Sequence, residues 1–130
     1  MKLSEAIRLG AMLKPQGRGK LLKRQGDMLV SCALGAACDA AGIDVVAGAN
    51  NTVAYGALRT TWLVLQEYVT HPEWGRRMCV LDVIYTLNDV CVWSRERIAD
   101  WVETIEPACG AIMTGSERVK REEELCPISV

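Results

Sequence analysis

The sequence predicts a mainly α, compact single-domain bundle of four to five short helices, and three observations carry that expectation. Its 130 residues fit one domain of ordinary size. Half of them are hydrophobic, yet there are only four Trp, three Tyr and no Phe, so the core must be aliphatic. Apolar positions recur at three- and four-residue spacings, in stretches separated by Gly and Pro. Lys and Arg number 15 against 16 Asp and Glu, a net charge of −1 that excludes a strongly basic nucleic-acid coat protein. No run approaches the ~18 apolar residues of a membrane helix, and the first residues lack a signal-peptide layout. A cytoplasmic protein without a membrane role is therefore expected.

The elements follow in order. Residues 3–13 read as a first helix, with Leu3, Ile7, Gly10 and Ala11 on one stripe, Leu9, Met12 and Leu13 beside it, and Pro15 as the stop. Residues 14–26 change character, with Lys14, Arg18, Lys20, Lys23 and Arg24, three glycines and no acid. They predict an exposed basic loop with a short helical turn at 20–24. Residues 31–41 form a second helix of very small side chains, with Ser31 as N-cap and Gly42 at the C-terminal cap. Small side chains allow a close neighbour, which places this helix centrally. Residues 55–69 show the clearest period, Leu58, Trp62, Leu65 and Val69 on one face. Residues 79–87 fit either a helix or a strand, and the helix is preferred. Ser94 is placed to cap a last helix, Trp93 to staple onto Ile98, and Ile98, Trp101, Val102 and Ile105 to form its buried stripe. The expected core is Leu34, Leu58, Trp62, Leu65, Ile84, Leu87, Ile98 and Trp101. The domain is drawn at 1–110, and 111–130 as a charged tail.

Six cysteines, Cys32, Cys38, Cys79, Cys91, Cys109 and Cys126, show no two-residue zinc spacing, and His71 is the only histidine. They are read as reduced, mostly buried thiols, with no metal and no cofactor. Gly17-Arg18-Gly19-Lys20 lacks the spacer and the following Ser or Thr of a phosphate loop. The sharpest catalytic arrangement is a Cys32 nucleophile at a helix N-terminus, with His71 as base and Asn88 or Asp89 to orient it. Asn88-Asp89 otherwise forms a turn.

Three blocks carry a resemblance. Ser31-Cys32-Ala33-Leu34-Gly35-Ala36-Ala37, then Leu87-Asn88-Asp89, then Trp93-Ser94-Arg95-Glu96-Arg97-Ile98-Ala99-Asp100-Trp101-Val102 are similar to blocks in a loosely defined group of small bacterial and phage proteins, as is the stretch 1–16. The resemblance implies no activity. Members of that group often carry a cysteine pair before the Leu-Asn-Asp block, where this chain has Cys79 alone.

The functional expectation is a small non-enzymatic interaction or regulatory protein, phage-borne, that binds a host macromolecule. Its contact residues would be Arg18, Lys20, Lys23 and Arg24 of the basic segment, which can steer an acidic partner, and Trp74, Arg76 and Arg77, an interface-like composition. A protein partner is expected, nucleic acid is the weaker expectation because no aromatic interleaves the cations, and a homodimer is compatible. The alternative is a cysteine-dependent hydrolase or transferase using Cys32, His71 and Asp89.

Overall fold

A computed structural model describes residues 1–106. Five helices and two small antiparallel hairpins make up the fold among these residues: α1 (Leu3–Ala11), β1 (Leu22–Gln25), β2 (Met28–Ser31), α2 (Ala33–Ala41), α3 (Thr52–Thr61), β3 (Tyr68–Thr70), β4 (Arg77–Cys79), α4 (Val80–Asp89) and α5 (Arg95–Ile105). The expected domain boundary at 110 and the residues Cys109 and Cys126 lie outside the described residues.

Helix α2 is central, as its composition predicts. Ala33, Ala36, Ala37 and Cys38 are fully buried, and α1 packs along it. The approach is so close that a Cβ at Gly10 of α1 would overlap the carbonyl of Ala36, and a Cβ at Gly35 would overlap that of Leu21. On its other side α1 meets α5, where Arg8 forms ion pairs with Asp100 and Glu103 at 2.7 Å each. These pairs are exposed and contribute under about 1 kcal/mol apiece. Leu34, Leu58, Leu65, Ile84, Leu87 and Ile98 are all buried in one aliphatic core with Trp62.

Several expectations need correction. The first helix ends at Ala11, and Leu9 within it and Met12 and Leu13 after it are exposed. The basic segment is not a loop with a helical turn: its second half is strand β1, paired with β2 from Leu22↔Ser31 to Gln25↔Met28. Gly26, at φ 63, takes the first position of the turn, where primed hairpin turns need positive φ. The long third helix breaks at Trp62, which turns extended (φ −124, ψ 96). A 3₁₀ turn, Leu63–Gln66, then buries Val64 and Leu65 together, and the β-branched end of the segment pairs as β3 with β4, Tyr68 opposite Cys79. Trp101, finally, is half-buried at the edge of the core.

Caps explain the remaining boundaries. Ser94 accepts a hydrogen bond from the Arg97 amide (3.1 Å) and starts α5 as expected, and Gly42 closes α2 in the left-handed region. Helix α2, however, is capped by Cys32 rather than Ser31. The Ser31 hydroxyl instead accepts from Arg95 Nη1 (3.0 Å). The buried Arg95 guanidinium also donates to the carbonyls of Ala11 (3.3 Å) and Lys14 (2.7 Å), so a cation closes the C-terminal end of α1.

Gly10→Ala and Gly35→Ala should each destabilise the protein by about 1–3 kcal/mol or more, because the obstacle is backbone rather than a movable side chain. Urea unfolding would read this, with Gly56→Ala as a control, since nothing lies near that position.

Candidate functional site

Arg18 and Glu73 reach the corner between α4 and α5, and Asn88 sets that corner. A carboxamide has two acceptor lone pairs and two donor hydrogens, and Asn88, 1% exposed, uses all four. Its Oδ1 accepts from Gln16 Nε2 (2.9 Å) and from the Ala33 amide (3.1 Å). Its Nδ2 donates to the Gly17 carbonyl (2.9 Å) and to Asp89 Oδ1 (2.7 Å). The Ala33 amide is one of the free donors at the start of α2, so Asn88 completes the cap that the Cys32 thiol makes only at 3.4 Å. Asn88 is thus a buried hub and not simply a turn residue. The chain then passes through Val92 at φ 59, a conformation a β-branched residue rarely adopts, to place Trp93.

From this corner both expected contact segments can be located. Arg18 donates through Nε to the Asn88 carbonyl (3.1 Å), so it belongs to the corner as much as to the surface. Lys20 reaches Asn50 (3.3 Å), while Lys23 and Arg24 stand on β1, Arg24 exposed. Gln16 also donates to the Trp93 carbonyl (2.9 Å), and the Trp93 indole N–H donates to the Glu73 carboxylate. Glu73 directly precedes the expected Trp/Arg segment. There Trp74, 41% exposed, stacks on His71 with ring centres 4.3 Å apart, and the Arg76 guanidinium lies 5.3 Å from the Trp74 ring. Arg77 donates to the Tyr68 carbonyl (3.1 Å). One further cation belongs here: Arg97 sits 3.7 Å over the face of Trp93. Sequence reading took Trp93 only as a staple and passed over Gln16, Glu73 and Arg97. An indole two to four residues from an arginine in two separate segments was the available signal.

The residues of the catalytic alternative are placed differently from one another. Cys32 is nearly buried at the start of α2, and burial first, with the Asp89 charge adding to it, pushes its thiol up to about 11 against the helpful bond from Gly35. At neutral pH Cys32 is therefore held as the neutral thiol. Cys38 is pushed up to about 12 by burial. Both ring nitrogens of His71 are engaged with Thr86 and with the amides of Glu73 and Trp74, and Asp89 accepts from Asn88. The hydrogen-bond partners of Cys32, His71 and Asp89 are other residues, and the three are not joined to each other. Among the described residues no group of three His, Cys, Asp or Glu is arranged to hold a metal, and no helix is long and apolar enough to cross a membrane.

Asn88→Ala should cost about 2–5 kcal/mol in denaturant unfolding, since it strands the Ala33 amide and the Gly17 carbonyl in the interior at about 1–3 kcal/mol each. In the native protein, maleimide labelling followed by peptide mass mapping should find Cys79 and Cys91 modified well before Cys32 and Cys38. Cys32 labelled first would instead speak for an activated thiol.

Compared with family models, with curated proteins and with solved structures, the chain has no match, so its site is read from its own geometry.

Proposed function

We propose that this chain is a small non-enzymatic interaction or regulatory protein that binds a host macromolecule, a protein in the first instance, through the cations of the β1–β2 hairpin and the Trp74–Arg77 segment. A phage-borne setting is part of this proposal. One observation carries the reading. Three ion pairs occur among the described residues, and they use Arg8 and Lys14; Lys23, Arg24, Arg76 and Arg97 take part in none of them. Cations without a neighbouring carboxylate keep their long-range field and steer a partner of opposite charge. Trp74 and Trp93 hold two of the guanidiniums against their rings, which reduces the rotamer entropy lost on binding.

Charge reversal tests this. Lys23 and Arg24 are the residues to change, because Arg18 supports the Asn88 carbonyl and its loss would confuse binding with folding. Lys23→Glu with Arg24→Glu should leave stability within about 0.5 kcal/mol. The same pair should weaken capture of host partners at least ~10-fold and flatten the dependence of capture on salt. An unchanged set of partners, with a cellular phenotype lost only on Cys32→Ala, would overturn the reading in favour of thiol chemistry.

A further inference from the structure

His71 is the one titratable side chain near neutrality in this chain, and it is 1% exposed. Its surroundings fix which nitrogen carries the proton. Nδ1 faces two backbone donors, the amides of Glu73 (3.1 Å) and Trp74 (3.0 Å), and must therefore be bare. Nε2 lies 3.0 Å from the Thr86 hydroxyl, whose own hydrogen goes to the Val83 carbonyl (3.0 Å), so Nε2 carries the hydrogen and donates to Thr86. The backbone of the same residue closes the loop a second time, its amide donating to the Arg76 carbonyl (2.8 Å) and its carbonyl accepting from Gly75 (2.9 Å). A side chain that only had to hold such a turn could be Asn or Asp, which accept the same two amides. Here the acceptor is a ring that titrates.

We propose that His71 is a pH-operated latch: as the neutral Nε2–H tautomer it holds the 71–76 loop shut against α4, and protonation at Nδ1 releases Glu73 and Trp74 from the α4–α5 corner. The step is one proton taken from solvent onto Nδ1. Once there it points at two N–H groups about 3 Å away, and neither can accept it. The ring and the loop must separate. Separation frees Trp74 from its stack and withdraws the Glu73 carboxylate from the Trp93 indole.

The charges around the ring are few. Glu73, on the loop, favours the cation, and Arg76, also on the loop, opposes it. The stacked Trp74 favours the cation through its ring face. Helix α4 offers only the neutral Thr86 hydroxyl and Val83 carbonyl. The α4–α5 corner contributes the Trp93 indole and the Cys91 thiol, which adjoins Glu73 rather than the ring. Burial is the largest influence and holds the imidazole below its ordinary value of 6.5. A folded-state value below the unfolded one means that the neutral ring contributes its stabilisation in full above about pH 6.5, and that the contribution falls away as pH drops through the lowered folded value. The latch stands whether or not the interaction reading holds, and its test reads the chain alone.

Nuclear magnetic resonance of the uniformly labelled protein makes that test, with a single histidine to assign. At about pH 8 the ring should show the Nε2–H tautomer. On acidification below about pH 6.5 the ring, the Glu73 and Trp74 amides and the Trp93 indole should titrate together. Hydrogen exchange at those two amides should rise at least ~10-fold while the α2 amides stay protected. Glu73→Gln should move the transition to lower pH, because the carboxylate that favours the cation is gone. His71→Asn, which keeps an acceptor for both amides, should abolish it. A proton on Nδ1 at about pH 8, a ring that titrates without the two amides, or a ring that stays neutral until the whole fold is lost would each overturn the proposal. So would a transition that persists in His71→Asn, which would assign it to a carboxylate.

Discussion

The Asn88 carboxamide is the constraint on which the rest of the molecule depends. From the last turn of α4 it reaches the first amide of α2 and both the side chain and the backbone of the 16–17 segment. Each of those groups would otherwise be a polar atom in a dry interior, and such atoms cost more unpaired than they gain when paired. One side chain therefore fixes where α4 ends, where α2 begins and how the basic segment leaves α1. Arg95 does related work one element later. Its guanidinium gathers the carbonyls of Ala11, Lys14 and Ser31 and the Ser31 hydroxyl, all neutral oxygens. A buried cation is tolerated there because it meets the negative end of α1 and several carbonyl oxygens at once.

These polar hubs need the small-residue helix in order to reach across the core. With Gly10 against Ala36 and Gly35 against Leu21, backbones lie within a side chain's length of one another, so a short carboxamide can bridge elements that bulkier packing would separate. The core is made almost wholly of Ala, Val, Leu and Ile, which pack densely but are interchangeable in shape. A core of that kind favours collapse without favouring one arrangement. The directional bonds of Asn88, Arg95 and His71 select among the arrangements the aliphatic side chains would accept. The near-complete pairing of buried side-chain atoms, with Ser4 Oγ alone lacking a partner among the described residues, agrees with that division of labour.

What the sequence made legible follows the same line. Local signals placed the helices: periodicity α1, α3 and α5, small residues and the Gly42 cap α2, and Ser94 the start of α5, while 79–87 fitted helix or strand alike before proving to be α4. The two hairpins were not legible. β1 is cationic on a stretch with too few apolar residues to alternate, and β3 continues a helical stripe whose Val69 sits equally well in a strand. The N-cap of α2 was misassigned by one residue because Ser31 is a better intrinsic cap than Cys32, and only the distant Arg95 reveals why the serine is used elsewhere. The link between the 16–18 and 71–76 segments runs through Trp93, where Gln16 and Glu73 meet although they stand 57 positions apart in the chain. Long-range hydrogen bonds between polar side chains leave no periodic trace.

The location of the candidate surface follows from this arrangement. Loops on a mobile base would lose much of their binding energy in becoming ordered, whereas loops tied to a satisfied polar hub have lost that entropy on folding. The 16–20 segment is tied through Gln16, Gly17 and Arg18, and the 71–76 loop through His71 and Glu73. Only the second tie includes an imidazole, whose bare Nδ1 accepts from the loop and cannot do so once protonated. The first is held by amide and guanidinium groups that keep their protonation state across the physiological range. The basic hairpin is therefore anchored unconditionally and the Trp74 loop conditionally. Acidification would alter the aromatic part of the surface while leaving its cationic part in place.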